Sequence, residues 1–144
     1  DKVSIVGDSM GGSAALLFSH LATESVVAFS PQVDLEGDGH VSRHDMTPFI
    51  RDRYRKRLLC SVKEALAQVK IFVHRGVEEA DVGHTDRLLS RLSMNALDDS
   101  DPSTRRIKVV EHKECHHHQI AVHLKDQGQL TNVLTSNLIH GYNA

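Results

Sequence analysis

One short stretch constrains this chain more than any other. Val3-Ser4-Ile5-Val6 is apolar and rich in β-branched residues, and it runs directly into Gly7-Asp8-Ser9-Met10-Gly11-Gly12. A run of Ser, Ala and Leu follows from Ser13 to Ala22. The first run predicts a short buried strand, the glycines a tight turn, and the last run a helix packed closely on a sheet. A strand that breaks into a glycine turn and returns as a small-residue helix belongs to layered α/β architecture.

The rest of the chain repeats that alternation. Ser25–Ser30 reads as a second buried strand, ended by Pro31, and Lys70–His74 as a third, closed by Gly76. Ile107–Glu111 reads as a fourth. Between them, Phe49–Gln68 places Leu58, Leu59, Val62 and Leu66 at helical spacing, and Thr85–Leu97 does the same with Leu88, Leu89 and Leu92. His118–Leu138 predicts a helix interrupted at Gly128 and then a turn or second helix. Gln32–Thr47 and Asp98–Thr104 read as loops. Strand and helix in alternation imply right-handed crossovers and a mostly parallel sheet with flanking helices. The expected fold is therefore α/β, about four strands, with residues 1–144 forming a single domain.

Composition narrows the function. The net charge of −2 and the 4% aromatic content argue against a nucleic-acid partner, which calls for basic excess or stacking platforms. No apolar run approaches the roughly 18 residues of a membrane span, so no transmembrane segment is expected. Two cysteines, Cys60 and Cys115, do not make a disulfide framework and fit a reduced, cytoplasmic protein.

Gly7-Asp8-Ser9-Met10-Gly11 matches G-x-S-x-G in the context that motif needs, strand before and small-residue helix after. A nucleophile at the apex takes a strained backbone, and a Cβ at Gly7 or Gly11 is expected to crowd the turn. The helix N-terminus points N–H groups at a reacting oxyanion, with the Met10 N–H as one donor. The competing reading makes Ser9 a helix cap.

The stretch Val3–Val33 resembles the nucleophile turn, following helix and next strand of the α/β-hydrolase superfamily. The resemblance implies a serine hydrolase cleaving an acyl bond, most simply a carboxylic ester, with a Ser, then an acid, then a His in chain order. It implies an acid in the loop after Lys70–His74, where Asp81 fits best and Glu78 and Asp86 are alternatives. It implies a base in the loop after Ile107–Glu111, where His118 is chosen because the segment from Gln119 to Leu124 reads as the closing helix. His116 and His117 stay open. Such chemistry needs a small-molecule acyl substrate and no cofactor. The family's domain has about eight strands, with the nucleophile turn after the fifth. A truncated N-terminal side, a missing second oxyanion donor, weak or no activity of these residues alone and association through an open sheet edge are accordingly expected.

Other patterns carry other readings. Gly7-Asp8-Ser9 also resembles the start of SGNH esterases, and Asp81-Val82-Gly83-His84 fits their Asp-x-x-His spacing, which would make Asp81 and His84 the acid–base pair. A non-catalytic binding or scaffold domain, or acyl transfer or peptide cleavage on the same residues, are further alternatives. His112, Cys115, His116 and His118 could ligate a metal, but adjacent residues point in different directions and no metal is expected. Asp34–Asp45 partly follows a calcium loop but ends in Asp instead of Glu and reads as an acidic surface loop. Arg51-Asp52-Arg53-Tyr54-Arg55-Lys56-Arg57 reads as a solvated helix face.

Overall fold

A computed structural model describes residues 1–35, 47–92 and 106–139 of the chain. It contains four strands, β1 (Ser4–Asp8), β2 (Ser25–Phe29), β3 (Lys70–Arg75) and β4 (Ile107–Glu111), all parallel and in the order β1-β2-β3-β4. The register pairs Gly7 with Ala28, Phe29 with His74, and Val73 with Val109. This is the expected α/β fold with a parallel sheet.

Strand alternation divides the core in two. Val26, Ala28, Ile71 and Val73 point to one face, where they meet helices α1 (Met10–Leu17), α2 (Pro48–Leu66) and α3 (Glu79–Arg91). Val27, Phe29 and Phe72 point to the other, against α4 (Ile120–Asp126) and α5 (Leu130–Ile139). β2 is buried at every position because it has a strand on either side and helices on both faces. β1 is not the buried strand its composition predicts. It forms one edge of the sheet, with Val6 46% exposed, and its outer side has no strand partner among the described residues.

Helix boundaries shift for identifiable reasons. α1 begins at Met10, not Ser13, and ends at Leu17, with a 3-10 turn over Ser19–Leu21. Low helix propensity argues against helical Gly11 and Gly12, and tertiary packing overrides it. A Cβ on Gly12 would lie 2.6 Å from the Phe29 carbonyl oxygen of β2, so only glycine lets the helix come this close. Pro48 opens α2, and Thr47 caps it through an Oγ1 that accepts from the Ile50 N–H at 3.3 Å. α3 starts at Glu79, six residues before Thr85, with Glu79 and Asp81 in its first turn.

α4 and α5 are separated by Gly128, at φ 68°. Its N–H donates to the Lys125 carbonyl and the Gln129 N–H to the Leu124 carbonyl, the paired bonds of a glycine-ended helix. No helix among the described residues is long and apolar enough to cross a membrane. Most of the Asp34–Asp45 loop and the whole Asp98–Thr104 loop lie outside the described residues. Asp34 itself is buried and faces Arg55, Arg87 and Arg91, which is not the environment of a calcium ligand.

Candidate active site

Loops at the C-terminal ends of the four parallel strands converge, the usual position for function in such sheets. The β1–α1 turn carries Ser9, the segment after β2 carries Ser30, α3 carries Asp81 in its first turn, and the β4–α4 loop carries His118.

Ser9 has φ 55° and ψ −115°, a conformation that L-residues other than glycine rarely adopt. What holds it there is the closeness of the two arms of the turn. A Cβ on Gly7 would overlap the Gly11 carbonyl. The Ser9 N–H donates to the Phe29 carbonyl at 2.9 Å, tying the tip to β2. The Ser13 hydroxyl donates to the Ser9 carbonyl at 3.2 Å and accepts from the Gln32 N–H at 2.8 Å. Gly11 departs from expectation: an added Cβ there meets nothing within 4 Å, because its carbonyl, not its Cα hydrogens, faces Gly7. Gly12 takes the second steric role. The Ser9 side chain makes no capping bond to α1, which removes the helix-cap reading.

With its hydroxyl free of the helix, Ser9 meets an imidazole 109 residues away. Ser9 Oγ lies 2.8 Å from His118 Nε2, and His118 Nδ1 lies 2.6 Å from Asp81 Oδ1. A carboxylate only accepts, so the imidazole proton sits on Nδ1 and Nε2 is left to accept from the serine hydroxyl. The Asp81 carboxyl is buried and receives a further bond from the Ser30 hydroxyl, 2.7 Å to Oδ2. The hydrogen bond to Asp81 raises the pKa of His118 above its usual 6.5, opposed by partial burial and reinforced by the charges of Asp81, Glu78 and Asp8. Burial raises the pKa of the Asp8 carboxyl, with the charge of nearby His118 pulling the other way. Met10 is the first residue of α1, so its N–H belongs to the turn whose donors have no intrahelical acceptor.

The alternatives lie elsewhere. Glu78 precedes α3 as its N-cap residue, and Asp86 pairs with Arg75 at 2.9 Å. His116 is exposed. His117 stands over the Cys115 sulfur, with its Nδ1 3.7 Å away. The Asp81/His84 pairing does not form. His84 Nδ1 instead faces the Asp34 N–H at 3.4 Å and Arg87 at 3.2 Å. Nor do His112, Cys115, His116 and His118 converge. His112 bonds His74 at 2.9 Å and His118 faces Asp81. The ligand atoms that do meet, among the described residues, belong to Cys115, His117 and His123. Both cysteines are free thiols, Cys60 exposed and Cys115 buried.

Ser30 is the site residue that sequence reasoning missed. It too has a positive φ, 43°, and its N–H donates to the His74 carbonyl at 2.8 Å. A serine at a strand end carries no local signal for a partner 51 residues on.

Comparison of the chain with protein-family models, with curated proteins and with solved structures finds no match.

Proposed function

We propose that this chain is a serine hydrolase of the α/β-hydrolase type that cleaves an acyl bond, with a carboxylic ester as the simplest substrate. One observation carries the reading: the unbroken hydrogen-bond chain Ser9–His118–Asp81, with Ser9 held at positive φ on the turn. A strained residue bonded to an oriented imidazole is the arrangement that activates a serine hydroxyl.

In this mechanism Ser9 Oγ attacks the substrate carbonyl while His118 Nε2 takes the hydroxyl proton. Asp81 holds the ring with its proton on Nδ1 and stabilises the imidazolium that forms. Ser30 holds Asp81 Oδ2, so that Oδ1 stays aimed at the ring. The Met10 N–H donates to the tetrahedral oxyanion. The imidazolium then protonates the leaving alkoxide, leaving an acyl ester on Ser9. Water, deprotonated by the same nitrogen, releases the acid and restores the enzyme.

A fluorophosphonate probe tests this directly. Stoichiometric labelling of the wild-type chain at Ser9, absent in Ser9→Ala and strongly reduced in His118→Ala, is the expected result. A folded wild-type chain whose Ser9 reacts with the probe no faster than that of His118→Ala would sink the enzyme reading and favour a scaffold domain.

A further inference from the structure

Beside the serine chain lies a second cluster that the hydrolase reading leaves unused. Cys115 and His117 stand in the β4–α4 loop and His123 on α4. One ligand atom from each, a sulfur and two imidazole nitrogens, lies within 4.8 Å of the others. The rings of His117 and His123 meet edge to face with centroids 5.7 Å apart. Cys115 Sγ is 3.7 Å from His117 Nδ1. Ligands on a tetrahedral zinc ion, with bonds of about 2.3 Å to sulfur and about 2.0 Å to nitrogen, stand about 3.5 Å apart. Metal binding would have to draw the three atoms from within 4.8 Å of one another to that spacing.

The surrounding backbone holds this cluster in place. The Cys115 carbonyl accepts from the Val77 N–H at 3.0 Å, and the Cys115 N–H donates to the His112 carbonyl at 3.0 Å. A Cβ on Gly76 would lie 2.6 Å from the Cys115 carbonyl oxygen, so the loop after β3 fits against this residue only with glycine there. His117 Nδ1 accepts from the Gln119 N–H at 3.2 Å, so the ring proton sits on Nε2 and Nδ1 carries the lone pair that a metal would take in place of that bond. The sulfur is buried while His117 is exposed, so an ion would be held from inside and reached from solvent.

We infer that Cys115, His117 and His123 form a binding site for a thiophilic divalent cation of the zinc class, with water in the fourth position. One thiolate and two imidazoles from two separate segments suit such an ion and not a hard, oxygen-seeking one. The Cys115 thiol now points at the His117 carbonyl, 3.2 Å away; on binding it gives its proton to solvent, and the sulfur bonds the metal. The ion would join the loop to α4 across His118, the residue next to His117. It would act as a clamp on the segment that presents His118 to Ser9.

Cobalt(II) titration of the full chain under reducing conditions tests the site. The expected signals are a thiolate-to-cobalt charge-transfer band in the near ultraviolet and intense visible bands of tetrahedral cobalt, both displaced by Zn²⁺. Cys115→Ser should lose the charge-transfer band, and Cys60→Ser should keep it. His117→Ala and His123→Ala should each weaken cobalt binding at least tenfold. His117 is exposed, so its variant keeps the fold even where Cys115→Ser does not. No charge-transfer band in the wild type, or unchanged affinity in the two histidine variants, would overturn the inference. The measurement is repeated in Ser9→Ala without substrate, so its failure leaves the hydrolase reading standing, and loss of the hydrolase reading leaves this one testable.

Discussion

Two imidazoles on this end of the sheet have opposite electrostatic fates. His118 is half-buried and its pKa is raised; His74, at the end of β3, is buried and its pKa is pushed down to about 3. Burial opposes the charged ring in both. Partners make the difference. His118 Nδ1 faces a carboxylate, whereas His74 lies between the Asn137 amide, 2.7 Å from Nε2, and His112, 2.9 Å from Nδ1. The amide and a second imidazole satisfy the ring without supplying negative charge, and after burial the charges of His112 and then Lys108 push the pKa down further. One histidine is thus arranged to take up a proton, and the other to stay neutral and carry the packing against Phe29, whose ring centroid is 4.7 Å away.

Removing the charge that separates the two should have the largest effect. Asp81→Asn keeps the shape of the site but offers no anion and can turn its amide toward His118, favouring the wrong tautomer. Esterase turnover is expected to fall about 10⁴-fold, as for the equivalent change in other Ser-His-Asp sites. Asn137→Ala, which unpairs His74, should cost about 1–2 kcal/mol of stability, read by denaturant unfolding, and leave turnover of the folded protein within about twofold. Equal losses of turnover in the two variants would erase the distinction between a chemical and a structural imidazole.

A smaller change sharpens it. Ser30→Ala leaves Asp81 charged but frees Oδ2, so the carboxylate is less firmly aimed. A hydrogen bond to a charged group is worth about 1.5–3 kcal/mol, and only part of this acts on the transition state. About a tenfold fall in kcat is expected, with KM little changed. A purely structural role for Ser30 would instead lower stability without a loss confined to kcat.

How far the site was legible in the sequence follows the same division between local and distant causes. The Ser9 turn was legible because Gly7 and Gly12 are demanded by neighbours within the turn or on the adjoining strand, and the pattern of small residues records that demand. The parallel α/β sheet was legible because central strands buried on both faces leave unbroken apolar runs. The edge position of β1 was legible only through the resemblance, which implies strands missing before it; composition reports what a strand could bury and not its place in the sheet. Among His116, His117 and His118, spacing alone could not decide. The loop's path sets which ring meets Asp81, 37 residues earlier in the chain. Ser30 carried no local sign, since its partner Asp81 lies 51 residues on. The run around Cys115 displayed ligand residue types, but which of them converge depends on how the loop turns into α4.

The last test reads both imidazoles at once through the pH dependence of stability, in metal-free buffer. His74 binds its proton near pH 3 when folded but near 6.5 when unfolded. Between those values the unfolded chain takes up a proton that the native one refuses, so stability falls as pH drops below about 6.5. His118 behaves in the opposite sense. Its native pKa is raised, so its stabilisation is complete below about 6.5 and is lost as pH climbs through the native value. The urea midpoint should therefore decline on both sides of a maximum near pH 6.5. In Asp81→Asn the alkaline decline should flatten, because His118 no longer gains a carboxylate on folding. The acid decline, to which His74 contributes together with His84 and His112, whose pKa values burial also lowers, should remain. An alkaline limb that survives this substitution would mean that something other than Asp81 holds the proton on His118.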